Sequence, residues 1–126
     1  MLGNKNAQHV YYINQTNEIC QGNSIYKEIN NKNQTAIFKK MTTLDSIFVN
    51  NEVFDLIKID TQGSESNIIE GGINLIKKSK YVILELSILQ YNENSPFYDI
   101  VINKMLDYKF CPEQILNKCY IDNKLT

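Results

Sequence analysis

Residues 55 to 87 constrain the fold more tightly than any other part of the chain. "DLIKID" (55–60) alternates at a strand period, "SESNIIEGGINLIKKS" (64–79) sets Ile69, Ile73 and Ile76 at helical spacing, and "YVILELS" (81–87) is a nearly continuous apolar run. An amphipathic helix between two short apolar strands is the pattern of a parallel βαβ unit, whose crossover is right-handed in nearly all proteins. Parallel strands of one unit end at the same edge. Asp60 and Glu85, one at the end of each strand, are therefore expected near each other, with Glu65 at the start of the intervening helix. In open parallel sheets, that edge is where ligands bind.

The flanking segments complete an α/β chain. "HVYYIN" (9–14) and "TAIFKK" (35–40) read as strands separated by a polar, turn-rich loop. "TTLDSIFVNN" reads as a short helix with Thr42 or Thr43 as N-cap. "SPFYDIVINKMLDY" reads as a helix with Ser95 as N-cap and Pro96 at its first position, and with Phe97, Ile100, Val101, Met105 and Tyr108 on one face. A last strand or hairpin is expected in "FCPEQILNKCYID". The 126 residues suffice for one core and not for two. The expected layout is a single domain with a β insertion over 1–40 and an α/β part over 41–126.

Charge and composition narrow the function classes. With 13 basic and 14 acidic residues scattered along the chain and a net charge of -1, no basic stripe is available for nucleic acid or an anionic membrane. Every basic residue is lysine, so no guanidinium fork can clamp a phosphate or carboxylate in two places. "MLGNKNAQHVYYINQ" lacks the form of a signal peptide and no segment has the length of a membrane span, so a cytoplasmic location is expected. Cys20, Cys111 and Cys119 form no C-x-x-C pair, which points to neither zinc nor a disulfide framework. In a cytosolic chain the sequons at Asn14 and Asn33 stay unmodified. His9, the lone histidine, is isolated. "DTQG" (60–63) fits a GTPase D-x-x-G, but no G-x-x-x-x-G-K-[ST] exists to hold phosphates.

Each candidate acid also has a structural role open to it. Asp60 could cap the turn through Gly63. Glu65 in a first helical turn gains about 0.3–1 kcal/mol from the helix dipole alone. Glu85 could pair with Lys58 or Lys80. The pair Gly71-Gly72 signals a helix break or close packing.

The segment "MTTLDSIFVNNEVFDLIKIDTQGSESNIIEGGINLIKKSKYVILELS" (41–87) resembles the FkbM-type family of S-adenosylmethionine-dependent methyltransferases. The matching motifs are "TLD" (43–45), "KIDTQGSE" (58–65), "GG" (71–72) and "ILE" (83–85), and upstream "LGNKNA" (2–7) looks like the family's L-G-D-K-x-G turn. Gln62 stands where the family usually has Glu. The glycine-rich turn and the ribose-binding acid that hold the cofactor in such enzymes have no counterpart in this sequence. The resemblance therefore implies the C-terminal portion of a partial Rossmann-like sheet, with strands 4-5-7-6 of the family order retained and the main cofactor-binding residues absent from the chain. It leaves strand 55–60 as an edge, to be covered by the β insertion, a homodimer or an N-terminal partner chain.

The chemistry implied is displacement of the sulfonium methyl of S-adenosylmethionine by a hydroxyl of a small molecule or glycan. Asp60 would orient that hydroxyl or accept its proton, with Glu65 and Glu85 in support. No metal is required, although a divalent ion bridging the three carboxylates would be a variant. A non-catalytic α/β remnant acting as an interaction module is the alternative.

Overall fold

The computed structural model describes residues 1–15, 23–50 and 52–116, with the backbone of 120–121 and 124–125. Strand β1 (Ala7–Asn14) pairs antiparallel with β2 (Gln34–Met41), from Ala7 opposite Met41 to Asn14 opposite Gln34. Helix α1 (Leu44–Ile47) follows, and strand β3 (Leu56–Ile59), helices α2 (Glu65–Gly71) and α3 (Ile73–Ile76), and strand β4 (Tyr81–Leu84) then form the expected βαβ unit. Strands β3 and β4 are parallel, with Leu56 opposite Tyr81 and Ile59 opposite Leu84. Helix α4 (Tyr98–Asp107) comes next, and β5 (Tyr120–Ile121) pairs antiparallel with β6 (Lys124–Leu125) as a separate ladder. The result is a mixed α/β protein in which, among the described residues, each sheet has two strands.

Alternation decides the packing of the parallel pair. Ile57, Ile59, Val82 and Leu84 join one apolar cluster with Ile68, Ile69, Leu75, Ile76, Val101 and Met105 from the helices. The residues between them face away, and Leu56 and Tyr81 stay 51% and 57% exposed. Among the described residues the parallel pair is covered on one face.

The "TLD" segment earns its place through hydrogen bonds. Thr43 caps α1, its side chain accepting from the Ser46 N–H at 3.2 Å. Asp45 reaches across to α3 and accepts from the N–H groups of Asn74 (3.1 Å) and Leu75 (3.0 Å), which α3 itself leaves unpaired. The Gly71-Gly72 pair both ends α2 and permits close approach. A Cβ on Gly71 would overlap the carbonyl oxygen of Gly3, and one on Gly72 would lie 2.7 Å from Leu44 Cδ1.

Helix α4 starts later than its sequence predicts. Phe97, not Ser95, is the N-cap. Ser95 is spent in a turn, where its N–H and hydroxyl both donate to the Asn92 carbonyl at 3.3 and 3.0 Å and Asn94 takes a φ of 59°. The predicted apolar face shrinks accordingly: Val101 and Met105 are buried, whereas Phe97 and Ile100 are about half exposed. Lys104 crosses from α4 to α2, donating to Ser66 Oγ at 2.6 Å and pairing with Glu70. Among the described residues no helix is long and apolar enough to cross a membrane.

Candidate active site

The parallel register carries two carboxylates to one rim. The Glu85 N–H donates to the Ile59 carbonyl at 3.1 Å, so the ladder runs one step past β4 and sets Glu85 beside Asp60. Lys58 Nζ lies between them, 3.0 Å from Asp60 Oδ2 and 4.0 Å from Glu85 Oε2. The hydrogen bond to Asp60, then the Asp60 charge and then that of Glu85 raise the Lys58 ammonium above its ordinary value. All three side chains are well exposed, at 55%, 36% and 61%. Pairs so exposed contribute little to stability, so this rim is not explained as a structural staple. Lys80, the other candidate partner for Glu85, pairs with Asp55 instead.

Glu65 is placed differently. It is buried, and one oxygen, Oε1, accepts from the Thr61 N–H (3.0 Å), the Thr61 hydroxyl (3.2 Å) and the Gly63 N–H (3.1 Å). Its carboxylate thus closes the turn after β3, in which Gln62 and Gly63 both take positive φ, 56° and 98°. Gly63 adopts that conformation without steric cost; Gln62 holds it at roughly 1–2 kcal/mol.

Three bonds keep Gln62 there. Its carbonyl accepts from Ser24 Oγ at 3.0 Å and Asn92 Nδ2 at 2.6 Å, and its Oε1 accepts from the Tyr91 hydroxyl at 2.6 Å. Ser24 and Asn92 are almost fully buried. Ser24 in turn exchanges backbone hydrogen bonds with Tyr12 of β1, while Ile29 and Lys27 bond to Tyr91 and Glu93. The β1–β2 hairpin, the β3 turn and the β4–α4 loop therefore meet at one peptide. Burial raises the Tyr91 phenol above its usual value; a bond with Ser87 opposes this, and the charges of Glu65, Glu85 and Asp60 add to it.

An open groove of about 670 Å³ runs along this rim, lined on one side by Leu2, Tyr11, Asn23 and Ser24 and on the other by Asp60, Gln62 and Glu85 among others. A second, smaller pocket of about 20 Å³, room for one water molecule, lies beside Glu65 and Tyr91. Among the described residues no three His, Cys, Asp or Glu converge as metal ligands. The donor geometry accounts for that, because Lys58 sits between Asp60 and Glu85 and Glu65 is turned toward backbone N–H groups.

The candidates therefore divide: Asp60 and Glu85 share the groove, and Glu65 supports the turn below them. Sequence reasoning missed Tyr11, Ser24, Tyr91 and Asn92, which no local pattern marks. His9 bonds to the Val10 carbonyl and does not line the groove. Cys111 is an exposed free thiol, and Cys20 and Cys119 lie outside the described residues.

A parallel βαβ unit whose strand tips bring acids to a polar groove is the arrangement in which many α/β proteins hold ligands, at the carboxyl ends of their strands. The chain belongs to the methyltransferase FkbM domain family, whose model matches residues 2–111. No curated protein and no solved structure gives a significant match.

Proposed function

We propose that the chain carries the acceptor side of an FkbM-type methyltransferase that uses S-adenosylmethionine to methylate a hydroxyl group in the cytoplasm. The observation that carries this reading is the adjacency of Asp60 and Glu85 on the groove wall at the ends of two neighbouring parallel strands.

The fit to the cofactor is partial. Two carboxylates against one ammonium leave the rim net negative, which suits a neighbouring sulfonium cation, although at this exposure water weakens the attraction. The five glycines, by contrast, include no G-x-G turn after a strand that could approach an adenosyl or carboxypropyl group. The methyl-bearing end matches this chain, and the remainder is assigned to a second polypeptide segment or chain.

When bound, the cofactor supplies an electrophilic methyl group. This chain's residues then have three tasks. Asp60 accepts a hydrogen bond from the acceptor hydroxyl, aligns its oxygen and takes its proton as the new bond forms. Glu85, 4.0 Å from the same lysine, keeps the rim acidic and offers a second hydrogen-bond acceptor. Glu65 holds the 61–63 turn and so fixes the direction in which Asp60 points.

The missing wall belongs beside β3. Among the described residues that strand pairs only with β4, which leaves its other edge, flanked by exposed Leu56 and Val53, open to a further strand. We assign this edge to an N-terminal partner segment or a second copy of the chain.

Two measurements test the reading. Calorimetric titration of the chain alone with S-adenosylmethionine should give no measurable heat, and micromolar affinity would overturn the assignment of cofactor binding to another segment. In a reconstituted enzyme, Asp60→Asn should lower kcat by about 100-fold or more, the usual contribution of a positioned base. Unchanged turnover would return Asp60 to a structural role.

A further inference from the structure

The lining of the groove says more about its ligand than the family does. Among its described lining residues only Leu2, Tyr11 and Ile68 are apolar; the others are amides, hydroxyls and carboxylates. Pockets for lipids or macrocycles are predominantly apolar, with a few polar groups to fix orientation. This groove has the reverse balance. Asp60 and Glu85 line it with Lys58 paired to both, so two carboxylates against one ammonium leave the rim net negative, and an anionic ligand would meet like charge.

The polar groups are also of a particular kind. Gln62 Oε1 is taken by the Tyr91 hydroxyl, Asn23 Oδ1 by the Asn14 N–H and Asp60 Oδ2 by Lys58. What these side chains offer a ligand is therefore the amide N–H groups of Asn23 and Gln62, Asp60 Oδ1 and the Glu85 carboxylate, a mix of donors and acceptors that suits neighbouring hydroxyls. Ser24 is bound elsewhere and only shapes the wall. The Tyr11 ring, with Lys39 Nζ 4.7 Å from its centroid, supplies an aromatic surface on the hairpin side. Aromatic faces carry negative potential, which suits the weakly positive C–H face of a sugar ring.

We propose that the groove between the β1–β2 hairpin and the tips of β3 and β4 binds a neutral carbohydrate, whose vicinal hydroxyls are shared among Asp60, Gln62 and Glu85. A volume of about 670 Å³ is enough for one to a few sugar rings. This rests on the methyl-transfer reading only for its consequence, that one of those hydroxyls is the acceptor. Binding itself needs no cofactor.

The test is amide-resolved NMR titration of the intact chain with three groups of probes: neutral methyl glycosides and disaccharides, uronic acids and sugar phosphates, and a macrocyclic alcohol. Neutral saccharides should shift the amide signals of Asn23, Asp60, Gln62 and Glu85, with dissociation constants in the millimolar range. Charged sugars should bind at least tenfold more weakly. Glu85→Ala, a change at an exposed rim position, should weaken neutral saccharides about tenfold, the equivalent of one charge-assisted hydrogen bond, while leaving the signals of the β1–β2 hairpin in place.

Failure of every saccharide to shift these signals overturns the proposal, as does tighter binding of the macrocycle or unchanged affinity in Glu85→Ala. The two readings fail separately. Methyl transfer by the reconstituted enzyme to an acceptor that is not a sugar would remove the carbohydrate assignment and keep the methyltransferase. Saccharide binding at these residues with no methyl transfer would do the opposite.

Discussion

Removing the Glu65 carboxylate should unlock the turn that carries Asp60. In Glu65→Ala, the N–H groups of Thr61 and Gly63, now 3.0 and 3.1 Å from Oε1, lose a charged acceptor. Hydrogen bonds to charged groups contribute about 1.5–3 kcal/mol each, so two of them bound the loss at roughly 3–6 kcal/mol. Two effects reduce it. Thr61 and Gly63 are only half-buried, so water can reach them once the side chain is gone. Release of the turn also lets Gln62 leave its positive φ, recovering roughly 1 kcal/mol. A net loss of about 2–4 kcal/mol remains, a large part of the stability of an ordinary domain. With a urea slope of about 2 kcal/mol/M, the midpoint falls by roughly 1–2 M. Glu65→Gln keeps an oxygen in the same place and should lose about half as much. Urea denaturation followed by circular dichroism measures both, and hydrogen exchange should show the Thr61 and Gly63 amides losing protection first. A midpoint for Glu65→Ala within about 0.3 M of the parent, or a Gln variant as unstable as the Ala variant, would refute the clamp.

Other sites give sharper or simpler outcomes. Gly71→Ala should destabilise by about 1–3 kcal/mol because the new Cβ meets the Gly3 backbone rather than a movable side chain, and a thermal midpoint equal to the parent's would contradict that packing. Asp45→Ala should cost about 1–2 kcal/mol by stripping the acceptor from the Asn74 and Leu75 N–H groups, and Asp45→Asn should recover part of it in the same thermal scan. Burial alone would push the Glu70 carboxyl up, but hydrogen bonds from Lys104 and Asn4 and the Lys104 charge outweigh it, and the net effect is downward. A carboxyl depressed in the folded state adds stability above its unfolded value, near 4.5, and that stability is lost as pH falls through the folded value. Lys104→Met should therefore flatten the stability profile below that pH, as read from urea midpoints across the acid range.

The parts of the fold that follow from periodicity were legible. Strands alternating at a period of two and a helix at a period near 3.6 located β3, α2, α3 and β4, and their parallel pairing predicted that Asp60 and Glu85 would meet. The signal for Thr43 was equally local, since a cap and the N–H it accepts from lie three residues apart. What stayed hidden joins residues distant in sequence. Ser24 and Gln62 are 38 positions apart and Asn92 and Gln62 are 30, and neither pair leaves a periodic trace. The chain is also rich in asparagine, so nothing in composition distinguishes Asn92 from the others. Ser95 shows how a correct local rule loses to tertiary context: a serine before a proline suits an N-cap, yet its hydroxyl had a nearer acceptor in the Asn92 carbonyl. The FkbM motifs, read from the residues alone, agree with the family match over residues 2–111.

The Gln62 carbonyl, fastened by Ser24 and Asn92, makes the β1–β2 hairpin a lever on the groove rim. Mutations scattered over the outer face of that hairpin will therefore be felt at the groove, transmitted through a single peptide group to the aspartate two residues upstream.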